Sequence, residues 1–329
     1  MKPPQCGVSL IAMIHRRTLV AASAALLASS TVGRAAAPLA RMQAPGAYRF
    51  KLGTYQLTAL YDGIWRVPIE DNFIRNAGKD EVNAALAAGF LPPNELPISF
   101  TALLVNTGRK LILIDTGTAG QVADTAGTLI ANLAAAGVSP KQVDTILISH
   151  FHPDHINGLK TKDGKKVFTN AEILVPEREW TFWMDESRID KAEGVVKKYF
   201  LNARRIFRDM AKDVTRFQPG KEVAPGIVAI DAPGHTPGHV AFAINSGNET
   251  LLAVSDAARN PALFIRHPQW QPSFDMDGPQ GVATRERLLQ QAAADKTLVH
   301  GYHFPFPATG HIARVGQGYE LVPSLWQPL

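Results

Sequence analysis

Between positions 150 and 155 the chain reads His150-Phe151-His152-Pro153-Asp154-His155, three imidazoles and a carboxylate within six residues. Burying such groups without partners costs roughly 1–3 kcal/mol apiece, more for a charge, so the fold must bring something to them. The cluster follows a short apolar run, Val143 to Ser149, which reads as a buried strand delivering His150 at its C-terminal end. The same arrangement recurs. Lys110 to Asp115 is a strand closing on Asp115, and Ile227 to Ala232 leads into Pro233-Gly234-His235. Val240 to Ser255 is a hairpin folded at Asn245 to Glu249 that ends at Asp256, and Thr297 to His300 leads into Gly301-Tyr302-His303. Each cluster of His or Asp sits where a strand ends, where a loop is accessible and a strand holds it rigid.

The remaining chain fits an α/β layout. Tyr48 to Tyr61 is strand-rich and interrupted at Gly53, and Phe100 to Val105 pairs as a hairpin with the strand from Lys110 across Asn106-Thr107-Gly108. Gly120 to Ala136 and Pro176 to Lys212 carry helical spacing; the second contains Trp180, Trp183, Tyr199, Phe200 and Phe207. With 329 residues and 46% hydrophobic content, one large core is affordable. No linker divides it, so residues 38–329 read as one domain with mixed sheets inside and helices outside.

Residues 1–37 read differently. His15-Arg16-Arg17 precedes the apolar run Leu19 to Leu27, and Ala35-Ala36-Ala37 follows, the order of a cleaved export signal of the twin-arginine type. The expected location is therefore periplasmic or secreted. Cleavage would remove Lys2, Arg16, Arg17 and Arg34 with no acidic residue, taking the formal charge from +5 to +1, and would remove Cys6, the only cysteine. The mature chain then has no disulfide, no thiolate ligand and no basic excess to suggest nucleic-acid binding.

Imidazole and carboxylate donors without sulfur suit Zn²⁺, and also Mn²⁺, Fe²⁺ or Co²⁺. The HxHxDH pattern, the earlier Asp115 in Ile-Asp-Thr-Gly, then His235, Asp256 and His303 together resemble the ordered motifs of the metallo-β-lactamase superfamily. The resemblance runs from about Tyr48 to the C-terminus. It implies an αβ/βα sandwich, two mixed β-sheets flanked by helices, and two metal ions. His150, His152 and His235 would hold one, Asp154, His155 and His303 the other, with Asp256 bridging. His239 and Asp115 are expected to support these ligands rather than join them, and His300, His311 and His267 to be structural or packing residues.

A metal pair lowers the pKa of a bound water toward ~7 and polarises the electrophile's oxygen, so the expected chemistry is hydrolysis by a metal-bound hydroxide, with Asp154 or Asp256 as proton acceptor. Within the superfamily the layout is most similar to exported methyl-parathion hydrolases and their lactonase or aryl-esterase relatives. Phosphotriesters, lactones and aryl esters are the expected small-molecule substrates. A β-lactamase, an acyl-homoserine lactonase or a non-catalytic metal-binding protein are the alternatives. Acyl-homoserine lactonases carry a tyrosine three residues after the bridging aspartate, where this chain has Arg259. Trp180, Trp183, Phe200, Leu263, Trp270, Phe274 and Phe306 are the expected apolar pocket wall. Neither nucleic acid nor stable membrane insertion is expected, and a homodimer is an open option.

Overall fold

Runs such as Leu111-Ile112-Leu113-Ile114 send alternate side chains to opposite faces of a strand, so an unbroken apolar run needs cover on both sides. The computed structural model, which describes residues 39–41 and 43–329, shows how that cover is supplied. The export signal expected over residues 1–37, with Cys6, lies outside the described residues. Residues Ala44–Leu329 form one compact unit.

The first sheet holds β1 (Ala47–Leu52), β2 (Tyr55–Pro68), β3 (Glu95–Asn106), β4 (Leu111–Ile114), β5 (Thr145–Leu147), β6 (Glu172–Pro176) and β7 (Val214–Phe217), in that spatial order. It is antiparallel from β1 to β4 and parallel from β4 to β7. The second holds β8 (Glu222–Ala224), β9 (Ile227–Asp231), β10 (Val240–Ser246), β11 (Glu249–Ala253), β12 (Leu298–His300), β13 (Thr309–Val315) and β14 (Gly318–Pro323), again in chain order, with β11 and β12 the parallel pair. Seven α-helices accompany them among the described residues: α1 (Lys79–Ala88), α2 (Leu129–Ala135), α3 (Pro153–Ile156), α4 (Glu177–Trp183), α5 (Glu186–Ile189), α6 (Gly194–Phe207) and α7 (Gly278–Ala294).

Three apolar clusters define the layers. Ile112, Ile114 and Leu147 of the first sheet meet Val240, Phe242, Ile244 and Leu251 of the second between the sheets. Leu113 and Ile146, one residue out of phase, face the opposite way against Leu129 and Leu133 of α2 and Ile206 of α6. Ala241 and Leu252 likewise face away from the sheet interface, onto Leu288, Leu289 and Ala292 of α7. The result is an αβ/βα sandwich. No helix among the described residues is long and apolar enough to cross a membrane.

Two expected helices are shorter than their periodicity suggests. Of Gly120 to Ala136 only Leu129–Ala135 is helical. Ala119, Gly120 and Gly127 have φ of 49°, 64° and 107°, values a right-handed helix cannot contain. The stretch from Pro176 to Lys212 is three helices, because the Asp185 side chain caps α5 by accepting from the Ser187 N–H, and Gly194 (φ 56°) restarts the chain as α6. The helix α7 and the β13–β14 hairpin were not expected. α7 begins at Asp277, whose side chain accepts from the Gln280 N–H, with Pro279 in the first turn.

Gly158 follows the 150–155 cluster, and a Cβ there would lie 1.7 Å from the Thr116 carbonyl oxygen. Backbone cannot move aside as a side-chain tip can, so Gly158→Ala should cost about 1–3 kcal/mol. The expected result is a melting temperature several degrees lower, read by calorimetry; an unchanged value would show that the Thr116 loop yields freely.

Candidate metal centre

The ends of β5, β9, β11 and β12 lie along one edge of the sandwich, and the residues that follow them converge there. His150, His152, Asp154 and His155 come from the loop and short helix α3 after β5, and His235 from the loop after β9. Asp256 follows β11 and His303 follows β12. At the ends of β4 and β11 the backbone enters the left-handed region at a residue other than glycine, Asp115 (φ 59°) and Ser255 (φ 47°). Each such turn costs roughly 1–3 kcal/mol. Asp115 is held in it by hydrogen bonds from the Ser149 N–H (2.8 Å) and Oγ (2.7 Å).

Three sets of donor atoms lie within 4.8 Å of one another: His150, His152 and His235; His150, His155 and Asp256; and Asp154, His155 and His303. Asp256 sits between them, with Oδ1 3.1 Å from His155 Nε2, and Oδ2 3.2 Å from His235 Nε2 and 3.0 Å from His303 Nε2. Yet His150 Nε2, His155 Nε2 and Asp256 Oδ1 are buried with no hydrogen-bond partner. Atoms this close but not aligned with one another are arranged for a cation rather than for a proton. Burial above all, with neighbouring histidines adding to it, pushes His150 and His152 well below the usual histidine range, and burial also lowers His235. These rings are therefore neutral, with lone pairs to offer. Burial would raise Asp154, but His155 and His303 outweigh it and hold the carboxyl at about 2. Burial would lower His155, but Asp154, Asp256 and Asp115 push it well above its ordinary value. His150, His152 and His235 are thus neutral donors and Asp154 and Asp256 negative ones, with His155 holding a proton whose charge a metal ion would replace; imidazole with carboxylate is the ligand chemistry of a divalent metal site.

In four of the five rings the outward nitrogen has a fixed partner, which orients the other inward; the exception is His152, whose Nδ1 lies 2.9 Å from His235 Nε2. His155 Nδ1 donates to Asp115 Oδ2 (2.8 Å), His150 Nδ1 meets Ser149 Oγ (3.0 Å), His303 Nδ1 donates to the Ser99 carbonyl (2.9 Å), and His235 Nδ1 donates to Asp275 Oδ1 (2.9 Å). Asp275 is itself gripped by Arg259 Nη2 and Arg285 Nη2, both at 3.0 Å. His239 donates to the Ala232 carbonyl and accepts from the Asp256 N–H (3.1 Å), so it positions the aspartate's backbone. His300 and His311 fall outside the donor groups, and His267 stacks on Trp270 at 4.1 Å.

A shallow cleft opens over the cluster, lined by Trp65, Ile98, Phe100, Tyr199, Arg259 and Phe274 together with His152, Asp154, His235, Asp256 and His303. Tyr199 reaches it from α6, its ring 4.5 Å from that of His152, and burial pushes its phenol up to about 12.

The family model of the metallo-β-lactamase superfamily matches residues 99–303. The chain belongs to this superfamily. Among solved structures it resembles AbOPH, a hydrolase in the β-lactamase superfamily, with a TM-score of 0.81 and 28% identity over 87% of this chain and 100% of that one. It also resembles AidC, a dizinc quorum-quenching lactonase, with a TM-score of 0.79 and 30% identity over 86% and 99%. An N-acyl homoserine lactonase of Bacillus sp is 24% identical over 245 residues, 68% of this chain and 86% of that one.

For this metallo-β-lactamase-fold hydrolase the cleft wall differs from expectation. Of the expected residues only Phe274 lines it. Trp183, Phe200, Leu263 and Trp270 are buried in the core, and Trp180 packs on Phe151 and Phe207. Phe306 is 36% exposed, edge-on to Tyr61. Helix rotation is the reason for Trp183: its indole N–H turns inward to donate to the buried Glu179 carboxylate (2.6 Å). Trp65 and Ile98 were missed because β2 and β3 run past the strands expected from the sequence, which stop at Tyr61 and begin at Phe100, and Phe100 because an apolar strand residue reads as core. Arg259 is buried between the rings of Phe264 and Phe274, 5.3 and 5.1 Å from their centroids, and is engaged with Asp275.

Removing the charge of Asp275 would leave Arg259 and Arg285 buried without their partner and free His235 to rotate. Asp275→Asn should therefore cost about 3–5 kcal/mol, measured by denaturant unfolding of the metal-free protein. A loss under about 1 kcal/mol, the scale of an exposed pair, would show that the network adds little.

Proposed function

We propose that this chain is a two-metal hydrolase that opens lactones and cleaves aryl esters. Asp256 carries the reading, since its two carboxylate oxygens face different histidines beneath an aromatic cleft. His150, His152 and His235 would hold one divalent ion, Asp154, His155 and His303 the other, with Asp256 shared. Zinc is the ion best suited to this sulfur-free set, and the dizinc character of AidC supports it. Bound there, the ions would supply Lewis acidity, acidifying water toward a pKa of ~7 and drawing on the carbonyl or phosphoryl oxygen so that the carbon or phosphorus becomes more electrophilic.

The protein's own groups do the rest. Trp65, Phe100 and Phe274 form walls that would hold an aryl group or an apolar acyl chain and exclude water. The protonated phenol of Tyr199, which no described residue engages by a hydrogen bond, offers a donor to a substrate oxygen. Asp154, at 17% exposure, faces the cleft, and with its carboxyl held at about 2 it would serve as an ionised ligand rather than as the proton acceptor expected from the sequence. A second reading, aryl phosphotriester hydrolysis, draws on the same walls, which suit an aryl leaving group. The order of basic, apolar and small residues over 1–37 supports export to the periplasm or beyond.

The test is a panel of an aromatic lactone, an acyl-homoserine lactone, an aryl ester, an aryl phosphotriester and a β-lactam on zinc-loaded protein, with metal content by elemental analysis. Two zinc ions per chain, and kcat/KM highest on a lactone or the aryl ester, are expected. One ion with full activity, or preference for the β-lactam, would defeat the proposal. In the same assay Tyr199→Phe should lower kcat/KM about 10–100-fold, the worth of a hydrogen bond to a charged group, with zinc content unchanged. Wild-type kinetics in that variant would remove the phenol from the account.

A further inference from the structure

Glu179 lies on α4, is fully buried, and touches no donor group of the metal centre, yet its carboxylate accepts four hydrogen bonds. Oε2 accepts from the Phe151 N–H (3.0 Å) and the Trp183 indole N–H (2.6 Å); Oε1 accepts from Thr236 Oγ1 (2.6 Å) and the Gly238 N–H (2.8 Å). Phe151 stands between His150 and His152, and Thr236 directly follows His235. One carboxylate thus ties together the two loops that carry His150, His152 and His235, which are otherwise separate in the chain. His155 and His303 are anchored elsewhere, on Asp115 and on the Ser99 carbonyl.

We infer that Glu179 is a positioning residue that clamps the His150/His152/His235 metal subsite and leaves the Asp154/His155/His303 subsite to other supports. The inference rests on the two-metal reading. The bonding pattern demands a carboxylate. Both oxygens accept from backbone or indole N–H groups that cannot reverse, so an amide must turn its NH₂ toward one of them. Glu179→Gln therefore keeps the shape but must release either the Phe151 loop or the Thr236–Gly238 loop, whichever way the amide faces.

Removing the partners that orient metal ligands lowers metal affinity about 10–100-fold. Zinc is titrated into metal-free wild type and Glu179→Gln by calorimetry with chelator competition, alongside the melting temperature of the metal-free forms. The expected result is that one zinc equivalent weakens by that factor while the other is unchanged. Equal weakening of both, or of neither, overturns the inference, and a lower melting temperature with neither changed would assign Glu179 to packing alone. Should Glu179→Gln fail to fold, Thr236→Val removes one donor on the His235 side and should give the same selective loss to a smaller degree; no selectivity there overturns the clamp. Wild type that binds two zinc ions but hydrolyses nothing in the panel would defeat the proposed function and leave the clamp standing. Wild type that binds a single zinc would defeat the two-metal reading, and the clamp would then stand only if Glu179→Gln weakened that one equivalent.

Discussion

The buried carboxylate of Asp256 lies 3.0 to 3.2 Å from three imidazole nitrogens, at the floor of the cleft. An unpaired carboxylate in such a place is strongly unfavourable, and so are clustered imidazoles unless they stay neutral. Without metal, the proton on His155 supplies part of the balancing charge, and divalent ions among the donors would supply the rest. Much of the surrounding structure serves that end. Strand ends deliver the donors, left-handed turns at Asp115 and Ser255 aim the loops, and acceptors behind the rings choose which nitrogen faces inward.

The supports behind the donors are unequal in kind. Asp115 and Ser149 brace His155 and His150 from the first sheet, while Asp275, held by two buried arginines, braces His235 from the side of α7. Arg285 also donates to the carbonyls of Ala257, Pro268 and Trp270, so the network that orients His235 also fixes the loop following Asp256. Stability and site geometry are carried here by the same bonds.

Substrate access is set by another part of the chain. The α4–α6 segment covers one side of the cluster, and its aromatic residues divide by function. Trp183 and Phe200 fill the core, whereas Tyr199, adjacent to Phe200 but on another helix face, reaches the cleft. The opposite wall comes from β2 and β3 through Trp65, Ile98 and Phe100. The cleft is therefore assembled from both ends of the first sheet's chain order, and its apolar walls lie over a strongly polar floor.

What the sequence alone determined was local. The six-residue cluster, the strand ending before each donor, and the order of Asp115, His235, Asp256 and His303 are patterns of spacing, legible because periodicity and ligand chemistry act over a few residues. Through the resemblance they carry, they pointed to the superfamily, the sandwich and seven residues that the structure brings together. Folding decided what depended on long-range contact. Asp275 meets His235 across 40 residues, and Glu179 meets Thr236 across 57. Neither pairing leaves a mark in the intervening sequence. The choice between Trp183 in the core and Tyr199 in the cleft depends on the rotation of short helices whose breaks at Asp185 and Gly194 reset their phase. An aromatic residue looks the same in either position until the helix is packed, because burying it against core or cleft satisfies the same hydrophobic demand.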